Sequence, residues 1–269
     1  MTIAVCAFLF GLLIGSFLNV CIFRMPRDLS VVRPRSYCPE CKTPVAWHDN
    51  LPLVSFALLR GRCRHCAARI SWRYPVVELL TGALFFLVVL ALGPGLAALK
   101  VCVFCALTIG LLFSDLEQRI LPDEFTLGGA VLGVLLAAVV PMEWGYSGFL
   151  IGSRLGARWL SVVESLLGAL SVSGLLWMVG SLFEKIRHKE GLGFGDVKMI
   201  AMVGSFLGLA GAFQTIILGS IVGTVIGLVF IKLKRHDSST YELPFGTFLG
   251  AAALFVALAQ SRVLEFYFR

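Results

Sequence analysis

The chain has 269 residues, of which 58% are hydrophobic and only 14% are charged, and its formal net charge is +7. A soluble domain has about 25% charged residues, so this composition leaves too little polar surface to cover a water-soluble globule. It therefore excludes a soluble enzyme, a disordered scaffold and a small secreted disulfide domain. Long unbroken apolar runs, instead of short alternating strands, predict an all-α polytopic membrane protein.

Eight apolar runs form the predicted transmembrane helices. The first lacks a basic N-terminal region before it and a small-residue cleavage site, so we expect a retained span and not a cleaved signal peptide. The turn Gly93-Pro94-Gly95 separates the second run from the third, and we expect the sixth and seventh to separate between Gly211 and Gln214. In chain order the runs cover residues 3–23, 76–92, 96–114, 125–140, 160–182, 197–213, 215–231 and 245–259.

The basic residues are unevenly distributed between the two sides that these runs define. If the chain crosses the membrane at every run, 18 of the 23 Lys and Arg residues lie on one side. Since such residues accumulate in cytoplasmic loops, the first loop is predicted to be cytoplasmic and both termini periplasmic. The basic excess is then a topology signal that requires no nucleic-acid partner. The predicted organisation is a first transmembrane helix (1–23), a cytoplasmic zinc-binding loop domain (24–75) and a transmembrane core (76–269).

Two C-x-x-C pairs within the first loop predict a metal site. The pairs are Cys38-Pro39-Glu40-Cys41 and Cys63-Arg64-His65-Cys66, with 21 residues between them. Two such pairs can supply four thiolates to one tetrahedral zinc ion, and a closed set of this kind is structural because no position is left for water. A disulfide or redox pair is the alternative, but disulfides are rare in the cytoplasm. His48 and His65 are further ligand candidates, although four thiolates already complete the site.

Two aspartates at the ends of predicted spans are the strongest candidates for catalysis. Asp115 ends the third run, and Asp196 begins the sixth within Gly193-Phe194-Gly195-Asp196. With the predicted topology both carboxyl groups lie at the cytoplasmic face of the membrane, where ionisable residues are functional candidates. A pair of nearby carboxyls can share one proton, so that one activates water and the other polarises a carbonyl. The alternative is that each aspartate caps a helix or faces lipid headgroups.

The helix positions of these aspartates predict that they differ in charge. Asp115 ends its helix, where the macrodipole disfavours a carboxylate, whereas Asp196 starts its helix, where the macrodipole favours one. We therefore expect Asp196 to activate water and Asp115 to donate the proton. Asp123 rivals Asp115, but after Pro122 it is expected to cap the next helix or support the site.

These motifs resemble those of the type IV prepilin peptidases, which are bifunctional leader peptidases and N-methyltransferases of the bacterial inner membrane. The matching motifs are Gly15-Ser16-Phe17-Leu18-Asn19-Val20 with Arg24 and Pro26, both C-x-x-C pairs, Arg73-Tyr74-Pro75 with Glu78, the stretch from Asp115 to Asp123, and Gly193-Phe194-Gly195-Asp196-Val197-Lys198. The resemblance implies an aspartic peptidase of the Gly-x-Gly-Asp type, with Asp115 and Asp196 as its catalytic pair. It further implies removal of a short basic leader from type IV prepilins or type II secretion pseudopilins, followed by methylation of the new N-terminus with S-adenosylmethionine. No methyltransferase residue is assigned, and the cytoplasmic loop and Glu78 are the candidates.

Two other functions fit parts of this sequence. A membrane transporter with a zinc-stabilised cytoplasmic domain would also contain acids within apolar runs, but transporter acids lie near the bilayer midplane between repeated halves. A zinc-dependent assembly factor without chemistry would need neither aspartate. Substitution of each aspartate separates the peptidase from the assembly factor.

Overall fold

The computed structural model of the protein describes residues 1–142, 145–151, 156–187, 193–234 and 244–261. Within these ranges all regular elements are helices, which confirms the predicted all-α class. The α-helices are α1 (Thr2–Arg24), α2 (Val54–Leu58), α3 (Arg73–Leu92), α4 (Leu96–Gln118), α5 (Asp123–Val139), α6 (Ser147–Ile151), α7 (Ala157–Leu167), α8 (Ser173–Arg187), α9 (Phe194–Lys234) and α10 (Phe245–Gln260). A π-helical turn, Gly168–Val172, joins α7 to α8.

Several helices are suited to a membrane. Among the described residues, five helical segments are long and apolar enough to cross a bilayer. They are Thr2–Arg27, Arg73–Leu92, Leu96–Gln118, Ala157–Arg187 and Phe194–Phe230. Helices α5 and α10 have 17 and 16 residues, fewer than the about 20 of a typical span. A multi-pass membrane protein is therefore confirmed, while the number of eight spans stays a prediction.

Helix α9 consists of two helical segments that meet at Gly208. This glycine has φ 70° and ψ −172°, a conformation that residues with a Cβ rarely adopt. The break lies earlier in the chain than the predicted separation between residues 211 and 214. Its position is set by a polar contact that hydropathy does not reveal, because the Glu164 Oε1 atom on α7 accepts a hydrogen bond from the Leu209 N–H at 3.0 Å.

The chain forms two compact units, Met1–Ala98 and Leu99–Arg269. In the first unit, α1 and α3 pack closely through small residues, since a Cβ at Gly15 would lie 2.6 Å from the Glu78 Cα atom. In the second unit, α9 is the central element and packs against α5, α7, α8 and α10. The predicted three-part division of the chain into residues 1–23, 24–75 and 76–269 stays a prediction.

Candidate active site and metal centre

The four cysteines predicted to bind zinc form one cluster in the first unit. The Sγ atoms of Cys38, Cys41, Cys63 and Cys66 all lie within 4.8 Å of one another, and those of Cys38 and Cys66 are 3.8 Å apart. Tetrahedral zinc with Zn–S bonds of about 2.3 Å places its sulfur ligands about 3.8 Å apart, so the cluster fits a four-thiolate zinc site. The cluster found among the described residues consists of these four cysteines and contains neither His48 nor His65.

The two C-x-x-C pairs adopt the same backbone structure, repeated 25 positions along the chain. In each pair the first cysteine exchanges backbone hydrogen bonds with the two residues after the second cysteine, and the residue that directly follows has a left-handed conformation. The bonds are Lys42 N–H to Cys38 O at 2.9 Å, Cys38 N–H to Thr43 O at 3.0 Å, Ala67 N–H to Cys63 O at 3.0 Å, and Cys63 N–H to Ala68 O at 2.8 Å. The φ angles of Lys42 and Ala67 are 59° and 57°. Each pair is thus a tight turn that directs two sulfur atoms to one point.

Hydrogen bonds at Cys41 and Cys63 favour their thiolates, the form that binds metal, whereas Cys66 is held as a thiol in the absence of metal. The side chain and the backbone of Thr43 lower the pKa of Cys41 to about 6. Backbone hydrogen bonds from Cys66 and His65 lower the pKa of Cys63. The backbone of Ala68 lowers the pKa of Cys66, but desolvation and the neighbouring thiols outweigh this effect and raise it to about 11.

The loop that carries the cysteines is anchored by two buried side chains, Arg24 and Glu78, which belong to the motifs quoted above for the resemblance. Arg24, at the end of α1, donates hydrogen bonds to the carbonyl oxygens of Ser30 and Pro34, both at 2.9 Å. Glu78 on α3 accepts a hydrogen bond from the Leu53 N–H at 2.9 Å. Leu53 itself has a positive φ of 60°. Both residues therefore have a clear structural role in the first unit.

Asp115 lies near the end of α4 and is 6% exposed. The helix ends three residues later, at Gln118. The next residue, Arg119, has φ 55°, and its N–H donates to the Asp115 carbonyl at 2.8 Å. The carboxyl atom Oδ2 accepts hydrogen bonds from Thr247 at the start of α10. Asp115 is thus held at the junction of two helix ends in the second unit.

Asp196 lies in the first turn of α9 and is 9% exposed. Its N–H donates to the Gly193 carbonyl at 3.0 Å. A Cβ at Gly193 would lie 3.2 Å from the Asp196 Oδ2 atom, so glycine leaves room beside this carboxyl. The earlier residues of the same glycine-rich stretch, Gly191 and Leu192, lie outside the described residues.

The two aspartates are neighbours in the second unit, although 81 positions separate them in the sequence. Their carboxyl groups interact electrostatically. The side chain of Leu121 contacts the first turns of both α9 and α10, because a Cβ at Gly195 would lie 3.2 Å from Leu121 Cδ1 and a Cβ at Gly246 would lie 3.1 Å from the same atom. The same Cβ at Gly246 would lie 3.1 Å from the Asp115 Cγ atom. The structure therefore places two buried carboxyls together, as an aspartate pair requires.

Asp123 has a different environment from Asp115. Its side chain is 56% exposed, and it forms an ion pair of 2.6 Å with Lys198. Lys198 follows Asp196 by two positions on α9, whereas Asp123 begins α5. This ion pair connects the two helices beside the buried pair, which agrees with a supporting role for Asp123.

Known proteins are similar to this chain over most of its length. Residues 9–92 match the model of the bacterial peptidase A24 N-terminal domain, and residues 102–228 match that of the type IV leader peptidase family. A prepilin leader peptidase/N-methyltransferase from Aeromonas hydrophila is 34% identical over 97% of this chain and 92% of its own length. The chain belongs to the prepilin leader peptidase/N-methyltransferase family. A protein of the same name from Myxococcus xanthus is 38% identical over 90% of this chain and 69% of its own length. Another from Neisseria gonorrhoeae is 33% identical over 84% of this chain and 82% of its own length.

No solved structure is significantly similar to the chain. The regions matched by the two family models include the site residues predicted from the sequence. The first region contains the four cysteines and Glu78, and the second contains Asp115 and Asp196. Thr247 lies beyond both matches, and sequence reasoning missed it. The only available signal was a polar residue in the first turn of a short apolar helix, which is too common to indicate a site.

Proposed function

We propose that this protein is a multi-pass aspartic peptidase of the bacterial inner membrane that removes the leader of type IV prepilins or type II secretion pseudopilins. The observation that carries the proposal is the meeting of two buried carboxyls, Asp115 and Asp196, at the ends of α4 and α9. Membership in the leader peptidase family supports it, and so do the names of the relatives.

The aspartate pair can perform peptide hydrolysis with one shared proton. The ionised carboxyl takes a proton from water while the oxygen of that water attacks the scissile carbonyl. The protonated carboxyl donates its proton to the carbonyl oxygen, which gives a neutral tetrahedral intermediate. When the C–N bond breaks, the carboxyl that took the proton from water gives it to the leaving amine. The other carboxylate takes a proton from a hydroxyl group of the intermediate as the carbonyl forms again, so that the pair returns to its starting state.

The second activity is methylation of the new N-terminus. S-adenosylmethionine, when bound, would supply an electrophilic methyl group: the free amine of the cleaved pilin forms the new N–C bond, the C–S bond breaks, and S-adenosylhomocysteine leaves. The amine must be unprotonated to react and its nitrogen loses a proton afterwards. Methylation follows cleavage because this amine exists only after the peptide bond has been cut. The names of the relatives support this activity, and we assign no residue to it.

The four cysteines of the loop would hold one structural zinc ion. The sulfur spacing and the repeated turn geometry described above support this assignment. A closed four-thiolate site supplies no catalytic water, so the zinc would stabilise the loop and take no part in hydrolysis. The excess of Lys and Arg supports a cytoplasmic position for this loop and for the aspartates, with both termini in the periplasm.

A transporter with a zinc-stabilised domain is the alternative function. The relatives reported above are named as peptidases and methyltransferases, and nothing in the comparisons favours transport. The buried carboxyls lie at helix ends, whereas transporter acids lie near the midplane of the bilayer.

Purified protein incubated with a prepilin, followed by mass measurement of the product, tests the proposal. Without S-adenosylmethionine we expect the mature pilin with a free N-terminus, and with it the same pilin carrying one more methyl group. An uncleaved prepilin in both samples would contradict the peptidase assignment. A cleaved but unmethylated product in both would contradict only the methyltransferase assignment.

A further inference from the structure

The first turn of α10 lies directly against the carboxyl group of Asp115. Thr247 donates its backbone N–H to Asp115 Oδ2 at 2.6 Å and its hydroxyl to the same oxygen at 2.9 Å. Each donor also has a longer contact, from the N–H to the Pro244 carbonyl at 3.2 Å and from the hydroxyl to the Leu112 carbonyl at 3.3 Å. The shorter contact of both donors is thus the one to Asp115.

This arrangement makes Asp115 a cap for a helix other than its own. The first N–H groups of a helix have no partner within the helix, and its N-terminal end carries a partial positive charge. Asp115 lies 132 positions before Thr247 in the sequence, yet its Oδ2 atom takes the place of an N-cap oxygen for α10. A carboxylate is the better acceptor for such donors, because hydrogen bonds to an ionised group are the stronger ones.

From the sequence, only the C-terminal end of α4 bears on Asp115, and it predicts that Asp115 holds the proton. The structure adds the N-terminal end of α10 and two donors that favour the ionised form of Asp115, whereas burial, which is similar for Asp115 and Asp196, favours the neutral form of both. Among the described residues, Arg119 also favours the Asp115 carboxylate, and Asp196 repels it. One shared proton relieves that repulsion, and the Thr247 donors favour its location on Asp196.

We propose that Thr247 is a positioning residue that holds Asp115 as the ionised member of the aspartate pair. Asp115 then takes the proton from water, and Asp196 donates a proton to the scissile carbonyl, the reverse of the assignment from the helix positions alone. This inference rests on the proposed peptidase function. It adds a role for α10, which lies beyond the region matched by the leader peptidase model.

The test compares Thr247→Val, which removes the hydroxyl at nearly constant volume, with Thr247→Ser, which retains it. We expect kcat for prepilin cleavage to fall about 10- to 100-fold in Thr247→Val, the range for a lost hydrogen bond to a charged group. We expect KM to stay near the wild-type value and Thr247→Ser to restore most of kcat. Thr215→Val is the matched control, since the Thr215 hydroxyl donates to the Gly211 carbonyl of its own helix, at 2.8 Å.

An infrared measurement decides the charge assignment without any assay of activity. In protein with isotope-labelled aspartates, subtraction of the Asp115→Asn spectrum isolates the band of Asp115. We expect an ionised Asp115 in the wild type at neutral pH and a larger protonated fraction in Thr247→Val. A protonated Asp115 in the wild type, or an unchanged band and unchanged kcat in Thr247→Val, would overturn the proposal. A wild-type protein that cleaves no prepilin would refute the proposed function instead, and the infrared result would still decide the role of Thr247.

Discussion

The site depends on individual residues that leave little free space around Asp115. A Cβ at Gly246 would lie 3.1 Å from the Asp115 Cγ atom and 3.2 Å from its Oδ2 atom. Contacts of this length are tighter than most contacts of a Cβ atom, so a side chain at position 246 requires its neighbours, Asp115 among them, to move by a few tenths of an ångström. Positioning errors well below 1 Å are sufficient to impair a catalytic group. A glycine is therefore needed at position 246, beside Thr247, to leave room for the Asp115 carboxyl.

Gly246→Ala is expected to lower kcat while the protein remains folded. The added methyl group presses the Asp115 carboxyl by a few tenths of an ångström relative to the Thr247 donors, which is comparable with the tolerance of about 0.5 Å for a catalytic group. Gly128→Ala on α5 is the control, because a Cβ there meets no atom within 4 Å. Steady-state kinetics of the two variants give the comparison. Equal kcat values for both would show that the space beside Asp115 is unimportant.

At the scale of helices, Glu164 determines the course of α9. Glu164 is 1% exposed and accepts hydrogen bonds from the Leu209 N–H at 3.0 Å and the Ser147 N–H at 2.8 Å. The first of these N–H groups follows the break at Gly208, and the second begins α6. One carboxyl thus caps two helical segments, which otherwise would bury backbone donors without partners.

Glu164→Ala is expected to destabilise the protein. Each buried N–H that loses its acceptor costs about 1–3 kcal/mol, so the free energy of unfolding should decrease by at least this amount. Glu164→Gln keeps one carbonyl oxygen as an acceptor and should be intermediate. Unfolding in detergent micelles measures the effect, with the exposed Glu184→Ala on α8 as control. If both alanine variants unfold at the same denaturant concentration, Glu164 has no capping role.

The helices themselves were predictable from sequence, whereas the contacts that position the site were not. Apolar runs and the turn at Gly93 placed the ends of α1, α3 and α4 within four residues, because burial in lipid demands a continuous apolar stretch. The break at Gly208 was misplaced, since it depends on a carboxyl 44 positions earlier in the chain. The contact between α10 and Asp115 could not be predicted for the same reason, because the N-terminus of α10 approaches Asp115 only in the folded chain.

At the scale of the whole molecule, the chain combines a cysteine-clustered loop in one unit with a carboxyl pair in the other. The cysteine motif was predictable because the two C-x-x-C pairs specify their own local turns. The shared hydrogen-bond pattern of the two turns was not visible, since the residues around the cysteines differ between them. A loop with so little apolar material requires an additional constraint in order to fold, and one metal ion can provide it.

We expect purified wild-type protein to contain one zinc ion per chain and Cys63→Ser to contain far less. Removal of one thiolate opens the tetrahedral site, and structural zinc contributes about 10–16 kcal/mol of apparent binding free energy. Elemental analysis gives the metal content, and limited proteolysis reports on the folding of residues 24–75. Cys6→Ser is the control, since Cys6 is exposed and lies outside the cluster. A wild type without zinc, or a Cys63→Ser variant with full zinc, would refute the metal centre.

If Asp115 and Asp196 together perform the cleavage, neither carboxyl can be replaced by an amide without loss of prepilin processing. Mature pilin is quantified by mass spectrometry after incubation of a prepilin with the wild type, Asp115→Asn, Asp196→Asn or Asp123→Asn. We predict that each of the first two variants loses at least about 100-fold in rate, as expected for loss of a general acid or base, while still binding prepilin. Asp123→Asn should retain most of the activity, because its ion pair with Lys198 only supports the site. Near-wild-type cleavage by Asp115→Asn, with activity lost in Asp123→Asn, would contradict the account and transfer the catalytic role to Asp123.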